Sequence, residues 1–226
     1  SRVSYLGEPI ALVAAPSAAM ARRAASLVRP EIEEEPAVSG IEDIVDRFLS
    51  GGSGLTIFMD YRLECGEVEA DLAASDVVVE GEYSTGAQEH AYLETQSMIA
   101  MPEGRGVRCL GSIQCPYYVR PAVAAVLGLP HEAVIVEQAP TGGAFGGKED
   151  FPSLLASHAS LLALACARPI RMVMERQEDI AFTTKRHPSW ARLRAGAAAS
   201  GDFLALEGTI VLDPGAYVTL SPVVLA

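Results

Sequence analysis

The chain has 226 residues, half of them hydrophobic and a fifth charged, with 17 basic against 29 acidic side chains and a net charge of -12. That length and composition suffice for one large globular domain or two small ones. So acidic a surface repels phosphate backbones and disfavours nucleic acid, and no apolar run reaches the ~18 residues of a membrane span.

In chain order, the apolar run 9–15 predicts a buried strand, and the Ala-rich stretch 17–29 behind Ser17 as N-cap predicts a helix. Acidic residues 31–35 and Pro36 predict an exposed connection, and 41–49 a short second helix. Gly51-Gly52-Ser53-Gly54 is the most flexible stretch and sets a domain boundary between residues 52 and 72, taken at residue 60. Beyond it come strands at 77–83, 92–101 and 106–112, with Met101-Pro102-Glu103-Gly104 as a turn between the last two. A helix is expected over 116–127, opened by Pro116 and closed by Gly128 and Pro130, then a strand over 134–138. After a glycine-rich run come an apolar helix near 150–166, a strand at 170–175 and a helical turn at 177–181. Residues 190–198 and 203–212 predict a hairpin around Ser200-Gly201-Asp202. Strands and helices mix without strict βαβ alternation, which predicts an α+β fold. Cys65, Cys109, Cys115 and Cys166 have neither C-x2-C spacing nor histidines at ligand intervals, so reduced, mostly buried thiols of a cytoplasmic protein are expected.

The most informative segment is Gly142-Gly143-Ala144-Phe145-Gly146-Gly147, followed by Lys148-Glu149-Asp150. Glycines let a ligand approach the backbone and permit positive φ, so that successive N–H groups converge, and the following helix adds its positive end. That combination suits an anion or a polar cofactor. A plain strand-to-helix turn needs only one or two glycines. Gly142-x4-Gly147-Lys148 nearly completes a phosphate-binding loop, but Glu149 stands where a Ser or Thr hydroxyl helps hold Mg²⁺. A carboxylate there repels phosphates, which leaves a nucleotide-binding module as the weaker alternative.

Residues 142–149 resemble the Gly-Gly-Gly-Phe-Gly-Gly-Lys-Glu signature of molybdenum hydroxylase large subunits, the xanthine dehydrogenase and aldehyde oxidase family, with Ala144 for the third glycine. Three further segments resemble the same family in the same order. They are Gln88-Glu-His-Ala-Tyr-Leu-Glu94-Thr-Gln96, Ser112-Ile-Gln114, and the run from Arg168-Pro-Ile-Arg171 through Glu178-Asp179 to Arg186-His187-Pro188. Ala91 stands where Phe is common. Residues 1–60 resemble the end of an α/β hammerhead domain, and 61–226 the first part of the molybdopterin-binding domain. The substitution of Ala144 is expected to be tolerated if that position does not need positive φ.

The resemblance implies a molybdenum cofactor, a molybdopterin with or without a cytosine dinucleotide tail. Gln88 is the amide expected to donate near the metal's oxo ligand, and Gly143, Ala144, Phe145, Gly146 and Gly147 are expected to contact the cofactor, Phe145 close to the metal. Glu149 is the expected substrate contact, suited to a purine-like or other N-heterocycle, against the alternative of compensating the helix N-terminus. His90 and Glu94, four apart, are not expected to ligate metal. Lys185 and Arg186 are expected to be solvated or paired with Glu178 and Asp179, and His187-Pro188 to shape a turn. The implied reaction hydroxylates a carbon beside nitrogen or oxygen, or an aldehyde, with oxygen from water, and electrons leave through [2Fe–2S] centres and FAD on partner chains or other regions. The family's base glutamate is expected beyond residue 226, so this chain alone is expected to be inactive. A non-catalytic fragment keeping the same fold is the other alternative.

Overall fold

The structure is a computed structural model that describes residues 2–38 and 40–225. The chain divides into two compact units. One comprises the segment up to Glu33 together with Glu89–Lys185, and the other comprises Glu34–Gln88 with the residues from Arg186 onward.

The first unit is built on a four-stranded sheet of β2 (Ser97–Glu103), β3 (Gly106–Gly111), β4 (Val134–Gln138) and β5 (Ile170–Val173), in the order β4-β3-β2-β5. The β2–β3 and β2–β5 pairs are antiparallel, and β3–β4 is parallel. Helices α4 (Pro116–Leu127) and α5 (Phe151–Cys166) pack against each other, with α5 lying on β2 and α4 against β4. The strand period explains this: Met98 and Ala100 on β2 and Val107 and Cys109 on β3 are buried, while the residues between them are less so. They meet Val119 and Val123 of α4 and Ala156, Ala159 and Ala163 of α5, whose small side chains allow close approach. α4 ends as predicted, with Gly128 in the left-handed conformation. The first unit also holds α1 (Ala18–Ala25) and α6 (Arg176–Phe182), the latter opened by a capping box of Glu175 and Glu178.

The second unit is a three-stranded antiparallel sheet of β1 (Val77–Thr85), β6 (Ser189–Ala197) and β7 (Phe203–Leu212), with β6 central. α2 (Ile41–Leu49) sets Ile41 and Val45 against Trp190, and α3 (Val68–Ala73) buries Leu72 beside β6 and β7. Arg194 of β6 gathers Glu69 and Glu207 at 2.9 Å each. A short α7 (Ser221–Leu225) follows.

The mixed α/β architecture agrees with the sequence reading, and most elements fall within one or two residues of expectation. Three differences have physical causes. Residues 9–15 form no strand, because no neighbouring strand supplies the ladder that a strand requires. α1 stops at Ala25, because none of its residues is buried and packing does not extend it. β2 starts at Ser97 and not at residue 92, because the Gln96 N–H donates to the Asp179 carboxylate at 2.8 Å instead of to a strand. α3, a 3-10 turn at His131–Ala133 and α7 went unpredicted.

All four cysteines are free, but only Cys109 is buried; Cys115 is half-buried and Cys65 and Cys166 are exposed, which corrects the expectation of mostly buried thiols. Burial pushes the Cys109 thiol up, outweighing its contact with Ser160. A thiol reagent applied to the native protein is therefore expected to modify Cys65 and Cys166 in its first kinetic phase and Cys109 only as the sheet opens. Labelling of Cys109 together with Cys65 would contradict the packing described.

Candidate functional site

The glycine-rich run joins β4 to α5. Three of its four central residues, Gly143, Phe145 and Gly146, have positive φ, at 93°, 55° and 97°. For Phe145 this is the left-handed region, which costs an L-residue about 1–2 kcal/mol. The residue is nevertheless 74% exposed, so no core contact offsets the strain. Ala144 is buried and has no positive φ, which meets the condition set for tolerating a methyl there.

Gly142 and Gly147 have a different purpose from the one the sequence suggested. A Cβ on Gly142 would lie 2.7 Å from the Glu94 Cβ, and one on Gly147 would lie 2.6 Å from Tyr92 Cε1 and 2.9 Å from His90 Nδ1. Those two glycines admit neighbouring side chains of the protein itself. The positive-φ pair, Gly143 and Gly146, shapes the exposed turn.

The peptide N–H groups of the loop divide in the same way. Gly142 donates to Glu94 Oε2 at 2.7 Å, and Gly147 to the Ala144 carbonyl at 2.9 Å. Gly146 and Lys148 both donate to Gln114 Oε1, at 3.1 Å each. Gly143, Ala144 and Phe145 have no acceptor for theirs among the described residues. Gln114 stood out in the sequence only as part of a family-like segment, yet it is the side chain clasping the loop, and its backbone N–H donates to the Lys148 carbonyl at 2.8 Å. Two N–H groups facing one end of its carboxamide fix the oxygen there, so the NH₂ end points away. Glu149 follows directly, close enough to Cys115 that its charge, after burial, helps push that thiol up. Asp150 stands at the N-cap position of α5 without a side-chain capping bond, and the first turn has no acidic residue, so Glu149 lies outside the helix.

Behind the loop lie two buried polar networks that the sequence did not reveal. Lys148 is fully buried, with its ammonium 3.1 Å from Glu94, 3.0 Å from Ser112 and 4.6 Å from the Tyr92 ring centre. A phosphate-binding lysine must end in the hollow of its loop, whereas this one is buried and ends on the half-buried carboxylate of Glu94. Burial raises the Glu94 carboxyl, but the Gly142 amide, the Ser112 hydroxyl and Lys148 together hold it below the ordinary glutamate value. In the second network, Tyr92 donates to Asp179 at 2.6 Å, and the Gln96 amide donates to the Tyr92 oxygen at 3.0 Å and to the Gly147 carbonyl at 2.6 Å. Burial first, then the hydrogen bond and charge of Asp179, push the Tyr92 hydroxyl up. Asp179 is thus a core residue and not the partner expected for Lys185 or Arg186. Lys185 pairs with Glu89 at 2.6 Å, and Arg186 donates to the Gly86 carbonyl at 2.7 Å.

Gln88 lies in the other unit, exposed, its backbone bridged to Arg186 by bonds of 3.4 and 3.0 Å. His187 meets Ser221 at 2.8 Å, and Pro188 accepts from Asp213 at 3.1 Å, in keeping with a turn-shaping role. His90 Nδ1 is buried without a partner beside Gly147. Among the described residues no group of three or more His, Cys, Asp or Glu could hold a metal directly, and no helix is long and apolar enough to cross a membrane. The loop therefore offers neutral N–H donors and an exposed ring, a set that fits a polar group carried by an organic cofactor better than a bare cation.

The model of the molybdopterin cofactor-binding domain matches residues 54–226, and the chain belongs to that domain family. Over 229 residues it is 34% identical to a probable xanthine dehydrogenase component of Bacillus subtilis, covering 99% of this chain and 30% of that protein. It is 32% identical to the nicotinate dehydrogenase large molybdopterin subunit of Eubacterium barkeri, covering 99% of this chain and 53% of that one. Its fold superposes on quinoline 2-oxidoreductase from Pseudomonas putida 86 with a TM-score of 0.76 at 30% identity, over 90% of this chain and 26% of that one. Within the domain family, then, the chain falls among the large subunits of the xanthine dehydrogenase and aldehyde oxidase type of molybdenum hydroxylase. It spans about a third of the first of these relatives and about half of the second.

Proposed function

We propose that this chain supplies one side of the molybdenum cofactor cradle in an enzyme that hydroxylates an N-heterocycle or an aldehyde with oxygen from water. The observation that carries this reading is the row of three unpaired amides, Gly143, Ala144 and Phe145, beside the outward NH₂ of Gln114. These donors bind oxygen atoms without adding charge. Phe145 walls the site and excludes water, Gly146 bends the chain, and Gly147 lets Tyr92 and His90 lie against the bend while its carbonyl accepts from Gln96. Gln88 is kept as a second donor toward the metal's oxo ligand, and Glu149 as the group that orients substrate by accepting from a ring N–H or, when protonated, donating to a ring nitrogen. The cofactor, when bound, supplies the two-electron chemistry. Electrons continue to [2Fe–2S] and flavin centres on other chains or regions in a reducing cytoplasm. The pterin is a molybdopterin with or without a nucleotide tail. Residues up to 60 are read as the end of a hammerhead domain, a reading supported by the family model's start at residue 54.

The test uses the intact protein expressed in a host that makes the cofactor. Phe145→Gly is expected to leave the unfolding free energy unchanged or raise it by about 1 kcal/mol, since the strain disappears and little buried area is lost. Turnover is expected to fall roughly tenfold or more, since the wall of the site is gone. Gln114→Leu and Gln88→Leu, assayed side by side, show which amide serves the metal. A wild-type protein that contains no molybdenum would overturn the reading in favour of a structural domain.

A further inference from the structure

The Glu94–Lys148 pair lies on the protein side of the loop and takes no part in the cradle. We propose that Glu94 is a positioning residue, whose single carboxylate oxygen staples Gly142 and Lys148 together across the glycine loop and so holds Gly143, Phe145 and Gly146 in their positive-φ conformations. Oε2 of Glu94 accepts from the Gly142 amide at 2.7 Å, from Lys148 Nζ at 3.1 Å and from the Ser112 hydroxyl at 2.8 Å. Gly142 and Lys148 stand at the two ends of the run, and six extended residues would span roughly 20 Å. Drawing both ends onto one atom leaves the intervening residues no extended route, and the positive φ values of Gly143, Phe145 and Gly146 are the geometry that closes the loop. The Lys148 side chain is 0% exposed, and Glu94 is its one carboxylate partner among the described residues. A buried ammonium without a counter-charge is strongly destabilising, so the staple and the core depend on each other. Gly142 completes the arrangement, because only a residue without Cβ admits the Glu94 side chain at that distance.

The consequence for cofactor retention rests on the cradle reading; the staple itself does not. In the intact protein, Glu94→Leu and Lys148→Met each lower the thermal midpoint, and the double variant restores it to within about 5 °C of wild type, because no buried charge is left unpaired. The loop in the double variant nevertheless stays loose. Its amides over 142–148 exchange with deuterium about tenfold faster, and molybdenum content drops about fivefold. Ser112→Ala, which removes a donor but leaves both ends tied, changes loop exchange less than about twofold. If the double variant regains wild-type exchange along with its midpoint, the pair only stabilises the fold and the staple is wrong. Equal loosening by Ser112→Ala also overturns it. If the double variant does not fold, Glu94→Asp decides the matter: one methylene shorter, it cannot reach both ends, and unchanged loop exchange would refute the staple. A wild-type protein without molybdenum would remove the cradle reading alone, since the exchange arm still decides the staple.

Discussion

Replacing Asp179 with alanine is expected to lower the unfolding free energy of the intact protein by about 4 kcal/mol. The side chain is 0% exposed and holds two buried donors, the Tyr92 hydroxyl at 2.6 Å and the Gln96 N–H at 2.8 Å. Alanine leaves both without an acceptor, at about 1–3 kcal/mol each, and opens a cavity besides. The loss continues toward the site, because the Tyr92 oxygen orients the Gln96 amide that holds the Gly147 carbonyl. Asp179→Asn keeps one acceptor oxygen and should lose about half as much. Urea unfolding of the two variants measures the difference; a loss below about 1 kcal/mol for alanine would mean that water replaces the carboxylate and that the network is not sealed.

Gly147→Ala should be the most damaging single change within the loop, at about 2–3 kcal/mol. The new methyl would meet Tyr92 Cε1 at 2.6 Å and His90 Nδ1 at 2.9 Å. Tyr92 cannot swing aside, since it is 1% exposed and its hydroxyl is fixed on Asp179. Gly143→Ala is expected to be milder, at about 1–2 kcal/mol, because its nearest side-chain atom is 3.3 Å away and the difficulty is its φ of 93°. The order of the denaturation midpoints, with an unchanged slope, checks this. An inverted order would mean that conformation and not packing governs the loop.

The fold was legible wherever the pattern is local. The bounds of α2, α4, β4 and β7 follow from hydrophobic period, from Pro116 and Gly128, and from the Ser200-Gly201-Asp202 turn. The loop was legible because clustered glycines are rare for any purpose but close approach or positive φ. Which purpose each glycine has was not legible, since Tyr92, His90 and Glu94 come from a segment some fifty residues earlier. Lys148 shows the same limit. Its spacing from Gly142 resembles a phosphate loop, and only the position of Glu94 shows that its charge is already answered inside the protein. Asp179 was read only as a partner for Lys185 or Arg186, and its burial depends on a tyrosine eighty-seven positions away. Gln114 had no local pattern to mark it, as its partners are backbone groups of a loop more than thirty positions further on.

The sheet of the second unit pairs Val77 with Ala197 and Thr85 with Ser189, while the whole of Glu89–Lys185 belongs to the first unit. β1 therefore leaves the ribosome more than a hundred residues before its partner. At about 5–20 residues per second that is a delay of roughly 5–25 s, during which a strand carrying Val77, Val78, Val79 and Tyr83 has no neighbour. Glu80 and Glu82, interleaved with these apolar residues, are charges of the kind that discourage nascent chains from pairing with each other at such an edge. Synthesis gives the inserted unit time to fold first, and the late arrival of β6 means that this sheet closes only after the whole of Glu89–Lys185 has been made.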